Sequence, residues 1–293
     1  MFTGSIPALI TPFRNGAFDE AVFRDFVEWQ IAEGSSALVP VGTTGEAATL
    51  TKDEHFAVVR VCVDQARGRV PVIAGAGSND TQVAIGNVQA AREAGADAAL
   101  MVPPYYNRPS QEGIFRHFEA VAAHSDLPIV LYNVPARTVT DILPETVIRI
   151  VRHAPDRFVA IKDATGELAR VSKHREALGA GFAQLSGNDE TALAFNAMGG
   201  VGCISVAANV APGLCAQFQA AWAAGDAAGA LAHHDRLFAL YLALFSDASP
   251  GPVKYAVNRL KGEVSAELRL PMTAPGAASR AQVDAAMAAA VII

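Results

Sequence analysis

The chain has 293 residues, 51% hydrophobic and 18% charged, with 24 Gly and 16 Pro. Such a composition is globular and excludes the disordered and collagen-like classes. The formal net charge of -6 leaves no basic surplus to neutralise nucleic-acid phosphates, although a small anionic substrate needs only one or two local cations.

Short apolar, β-branched runs recur along the chain: Ser5–Thr11, Ala37–Thr43, Val70–Gly75, Ala98–Pro103, Pro128–Val134, Phe158–Asp163, Ala183–Gly187 and Gly202–Ala207. They begin about 20 to 35 residues apart, the length of one strand plus a crossover helix. Continuous apolar runs such as VPVIAGA and PIVLYNV suit parallel strands buried on both faces. The segments between them read as helices. Asp19 caps one whose Val22, Phe23, Phe26 and Val27 form a stripe, and Thr51-Lys52-Asp53-Glu54 is a capping box. Pro144 marks another start, and Gly95 and Gly179 mark ends. Eight such units point to an α/β fold, a (β/α)8 TIM barrel over residues 1–224, with a doubly wound sheet as the alternative that the same pattern tolerates. From residue 225 to 293 the strands stop. Asp226–Phe245, Pro252–Lys261 and Ser279–Ala290 are helical in period, which predicts a C-terminal helical extension packed on the barrel.

Cys62, Cys203 and Cys215 are odd in number, far apart and form no C-x-x-C. This supports neither a disulfide framework nor a zinc ribbon, and a reducing, cytoplasmic setting is expected. No basic stretch precedes an apolar run at the N-terminus, so no signal peptide is expected. The most membrane-like stretch, Leu237–Phe245, is about half the length of a bilayer span, and no membrane partner is expected.

In a barrel the chemistry gathers at the C-terminal ends of the strands. Lys162 stands out there, inside the apolar run FVAIKDA, in a chain with only five lysines against eighteen arginines. A buried ammonium is costly unless paired or neutralised. It can be a structural ion-pair partner or a Schiff-base lysine. The second needs a neutral amine, which desolvation favours. Tyr132 ends the preceding strand, and its phenol can relay protons or be a plain core tyrosine. Gly42-Thr43-Thr44-Gly45-Glu46 lacks the ending of a P-loop; its hydroxyls and amides can hold a carboxylate, or it is an ordinary turn. Arg137 can clamp a second carboxylate or simply face solvent. Pro103–Pro109 is a stiff aromatic loop. Gly75-Ala76-Gly77 is too partial for a dinucleotide fingerprint. No histidine falls at a strand end, and no H-E-x-x-H or nucleophile elbow occurs, which argues against metal-dependent and Ser-His-Asp chemistry.

Taken together, GTTGE (42–46), PYYNRP (104–109), YNVPART (132–138), IKDATG (161–166), SGND (186–189) and GGVGCISVAANV (199–210) resemble the dihydrodipicolinate synthase (4-hydroxy-tetrahydrodipicolinate synthase) family of pyruvate-dependent class I aldolases. The resemblance runs from about Gly4 to Lys261. It implies a barrel with a helical tail and the condensation of pyruvate with L-aspartate 4-semialdehyde in diaminopimelate and lysine synthesis. Neither a metal nor a cofactor is implied, only a covalent pyruvate imine on Lys162. It further implies that Tyr132, Thr44 and Tyr106 relay protons, with Tyr106 reaching in from a neighbouring subunit of a dimer or tetramer. Thr43 and Thr44 match the pyruvate-carboxylate site, Arg137 the clamp on the aldehyde's carboxylate, and Gly187 and Ile204 positions whose backbone lines the site. The alternative is a related lyase, an N-acetylneuraminate lyase or 2-keto-3-deoxy sugar acid aldolase. Asp189-Glu190 favours it, because such lyases grip a polyhydroxyl chain with an acidic pair; Arg137-Thr138 favours the synthase. A non-catalytic barrel is a third reading. His55, Asn79 and Tyr105 match the family's lysine-binding site, while Ala47, Lys52 and Val83 depart from it. Val83 removes a carboxylate for the effector's ammonium, so weak or absent lysine inhibition is expected.

Overall fold

The computed structural model describes residues 2–293. β1 (Gly4–Pro7) is followed by a small antiparallel hairpin of β2 (Phe13–Arg14) and β3 (Ala17–Phe18), then α1 (Glu20–Ala32) and α2 (Lys52–Ala66). Strands and helices then alternate: β4 (Ile73–Gly75), α3 (Thr81–Glu93), β5 (Ala98–Met101), α4 (Gln111–His124), β6 (Ile129–Asn133), the short α5 (Pro135–Thr138) and α6 (Pro144–His153). β7 (Phe158–Asp163), α7 (Ala169–Leu178), β8 (Ala183–Ser186), α8 (Ala192–Ala197), β9 (Gly202–Ser205) and α9 (Pro212–Ala223) follow. The extension comprises α10 (Ala227–Ala243), α11 (Gly251–Leu260) and α12 (Ala277–Ala289).

Seven parallel strands pair in the order β1-β9-β8-β7-β6-β5-β4. The gap between β1 and β4 is closed by residues 36–40, through parallel bridges Ala8–Val39 and Leu38–Val72 and backbone hydrogen bonds on both sides. The result is an eight-membered (β/α)8 barrel, not a doubly wound sheet. The second apolar run contributes the shortest piece, because Val41 turns into the left-handed region at φ 49 and takes the chain out of the sheet. Other runs also end one or more residues before their apolar stretch does, since the tops of the strands become loops.

Strand alternation sorts the side chains. Ile6, Ala8, Val39, Ile73, Leu100, Val130, Tyr132, Ala160, Leu185 and Ile204 fill the barrel interior. Leu38, Met101, Leu131 and Ile161 point outward into the shell of helices. The helices start where their caps predict. Asp19 accepts the Val22 N–H, and Thr51 and Glu54 cap each other reciprocally. Leu237, Leu240, Val253, Val257, Val283 and Met287 of the extension belong to the same outer core as the barrel helices.

Candidate active site

Lys162 and Tyr132 lie directly opposite each other in the β6–β7 register. Each alternates with an inward residue, Ala160 and Val130 respectively, so both aim into the barrel. Lys162 is 5% exposed, and its Nζ sits 4.1 Å from the centroid of the Tyr132 ring. The amine therefore meets the face of the phenol ring, an attractive contact for a cation. No carboxylate pairs with Lys162 among the described residues. The flanking residues look the other way. Asn133 donates to Asp141 Oδ1 at 2.8 Å and accepts from the Ile142 N–H, and Asp163 accepts from the N–H and hydroxyl of Thr165. These bonds pin the loops leaving β6 and β7.

The other sequence-predicted residues lie near the C-terminal ends of the barrel strands or on the loops that follow them. Thr44 is buried and Thr43 exposed on the loop that follows residues 36–40. Arg137 is exposed on α5, with no ion pair among the described residues. Thr138 caps that turn through Val134 and Thr140 carbonyls, and Thr140 donates to Pro104 at 2.9 Å, tying the Arg137 loop to the aromatic loop after β5. Gly187 donates to the Asp163 carbonyl at 2.7 Å, and a Cβ there would approach Ala164 to 2.6 Å; only glycine lets the two chains meet this closely. Ile204 is fully buried in the interior. Tyr106 is the exception. It is 89% exposed, with φ 71, and does not enter the site of its own chain.

Three groups hold the framework around these loops, and the sequence marks none of them for that role. Asp189 is buried, and its Oδ2 accepts the N–H groups of Val206 and Ala207 at 2.9 and 3.0 Å. Half of the acidic pair is thus occupied in holding the loop after β9 and is not free to grip a sugar. Arg170 and Asp141 form a largely buried bidentate pair at 2.6 and 2.9 Å. Lys254, whose helical setting gave it no distinction, is wholly buried on Glu46; its only advance sign is the apolar company of Val253, Ala256 and Val257. A polar cleft of about 610 Å³ lies at the opposite, N-terminal end of β6 and β7. Its Arg92 and Asp126 pair with each other.

A model of the "Dihydrodipicolinate synthetase family" matches residues 1–290. The chain belongs to the dihydrodipicolinate synthetase family. It is 65% identical over 288 residues to a 4-hydroxy-tetrahydrodipicolinate synthase of Rhizorhabdus wittichii, covering 98% of each chain. It is 61% identical over 287 residues to that of Novosphingobium aromaticivorans, covering 98% of this chain and 97% of the other. Among solved structures, the chloride-inhibited dihydrodipicolinate synthase of Acinetobacter baumannii, complexed with pyruvate, superposes with a TM-score of 0.96 at 40% identity over 100% of both chains. Similarity of this extent carries to this dihydrodipicolinate synthetase family member the activity of its relatives, a lyase activity of the class I aldolase type, over the N-acetylneuraminate lyase alternative.

Proposed function

We propose that the chain condenses pyruvate with L-aspartate 4-semialdehyde through an imine on Lys162. The Lys162 amine attacks the keto carbon of pyruvate and water leaves. The protonated imine then withdraws electrons, so that the methyl group loses a proton to give an enamine. The enamine carbon forms the new C–C bond by attacking the aldehyde. Thr43 and Thr44 bind the pyruvate carboxylate, and Tyr132, Thr44 and a partner's Tyr106 relay protons. Arg137 clamps the aldehyde's carboxylate, and the backbone at Gly187 and Ile204 lines the pocket. The cation is the electron sink, so the scheme uses no metal or cofactor. The observation that carries it is the Lys162 amine, set in the barrel interior over the Tyr132 ring and, among the described residues, without a carboxylate partner. The pyruvate complex of the Acinetobacter baumannii structure supports the substrate. Three buried free thiols support a reducing, cytoplasmic setting, and the exposed Tyr106 supports a homo-oligomer, a dimer or tetramer.

Borohydride reduction with pyruvate present, followed by peptide mapping, tests the imine. A pyruvate-derived mass increase is expected on the peptide carrying Lys162, and none on Lys162→Ala. Absence of any adduct on the wild type would overturn the scheme. Arg137→Ala is expected to abolish semialdehyde turnover while trapping continues; efficient cleavage of a sugar acid by the wild type would instead establish the lyase reading.

A further inference from the structure

The C-terminal extension reaches the rim of the barrel through one buried ion pair. Lys254, on α11, is 0% exposed. Its Nζ donates to Glu46 Oε1 and to the Glu267 carbonyl, both at 2.6 Å, and lies 4.2 Å from the centroid of the Phe13 ring. The other oxygen of Glu46 accepts the backbone N–H of Arg269 at 3.1 Å. Both carboxylate oxygens are therefore held from the extension, by residues more than two hundred positions away. Arg269 also donates to the Thr49 carbonyl at 3.0 Å and pairs with Glu54, so the same short segment grips the loop at both ends of its last turn.

Glu46 closes the loop that carries Thr43 and Thr44. Its N–H donates to the Thr43 carbonyl at 3.1 Å, and Thr11 holds the neighbouring Gly45 carbonyl at 2.7 Å. The loop is strained at both ends: Val41 has φ 49 and Glu46 φ 56. A left-handed conformation is unusual for any side chain and an outlier for a β-branched one. Such residues persist where their surroundings over-determine them. Val41 is over-determined by packing, because its carbonyl lies where a Cβ on Gly75 would be. At the other end the device is the Glu46–Lys254 pair. Its desolvation offsets most of its Coulombic gain, so such a pair contributes little net stability against an apolar replacement. What it supplies is one geometry.

We propose that Lys254 is a positioning residue for the reaction: acting through Glu46, it fixes the loop that presents Thr43 and Thr44, so that the C-terminal extension sets the shape of the pyruvate-carboxylate site. This rests on the reading of Thr43 and Thr44 given above. Replacing the pair by a neutral one of similar volume separates positioning from folding. The double variant Glu46→Gln/Lys254→Met is expected to keep the wild-type melting temperature to within a few degrees and to be trapped at Lys162 by borohydride at saturating pyruvate. The pyruvate concentration for half-maximal trapping is expected to rise about tenfold, with turnover falling by about as much, as sub-ångström to ångström misplacement produces. Glu46→Gln alone is the milder second variant. It keeps an acceptor for Lys254 but turns an amide donor towards the Arg269 N–H, and it is expected to shift half-saturation the same way. A folded double variant with wild-type half-saturation and turnover would overturn the proposal; should the double variant not fold, wild-type values for Glu46→Gln would do so. A wild type that traps no pyruvate at all removes the imine itself, and the positioning role with it, a result distinct from a wild type that traps and a variant that traps equally well.

Discussion

The ammonium groups of Lys162 and Lys254 are both withdrawn from water, but only Lys254 has a carboxylate against it. That difference separates an amine available to a substrate from one engaged in architecture. A third buried group makes the folded state sensitive to acid. His117, on α4, shares a hydrogen bond with Thr81 Oγ1 at 3.0 Å through Nδ1, while Nε2 has no partner among the described residues. Burial pushes it down from 6.5 to about 4. The unfolded chain therefore takes up this proton first as pH falls. The stability that the neutral ring contributes is complete above about pH 6.5, is lost as pH drops towards 4, and levels off below. His55 and His174, also lowered by burial, act in the same direction. Glu54, held down at about 2 chiefly by its hydrogen bond with Arg269, keeps its contribution down to the ordinary carboxylate value and loses it as pH falls from there towards 2. Urea unfolding at pH 7.5 and pH 5 is expected to show a drop in stability that shrinks by about 1–3 kcal/mol in His117→Gln; an unchanged drop would contradict the assignment.

At the scale of single elements, α2 opens on a reciprocal capping box. Thr51 Oγ1 accepts the Glu54 N–H at 3.2 Å and Glu54 Oε2 accepts the Thr51 N–H at 2.9 Å. Thr51→Ala is expected to cost about 1 kcal/mol in chemical unfolding, with pyruvate trapping unaffected at saturation. This capping box was readable in advance because its partners are three residues apart. The same holds for the barrel strands, whose apolar runs and alternation are local, and for Asp19, Pro144 and Gly179 at helix ends. Motif order also brought Lys162, Tyr132, Thr44 and Arg137 to the strand tops where the fold has them. The roles that escaped notice are those of residues whose partners are distant in sequence or belong to the backbone. Asp189 answers to amides of Val206 and Ala207, Arg170 to Asp141 across a loop, and Lys254 to Glu46 across most of the chain. A short left-handed departure at Val41 likewise overrides a run that reads as a full strand, and the four-residue helix bearing Arg137 is too brief to announce itself by period.

At the scale of the whole molecule, Tyr106 raises the question of assembly. Tyr106 is 89% exposed in its own chain, so a role for it needs a second copy. Mixing Tyr106→Phe with Lys162→Ala, each impaired alone, is expected to restore about one quarter of wild-type turnover through random hybrids that each hold one intact site. Activity no higher than the sum of the parents would remove Tyr106 from the partner's site. The interior of the barrel and its rim also differ in how they are built. The lysine and the phenol stand on adjacent strands in fixed register, whereas Arg137 sits on a four-residue helix anchored through Thr138 and Thr140. In the proposed scheme, covalent activation of the keto acid and choice of the incoming aldehyde therefore fall to separate parts, one set in the strand ladder and one on a short helix. On that scheme, a new acceptor molecule would be accommodated by rewriting a handful of codons around position 137, leaving the bond-making apparatus as it is.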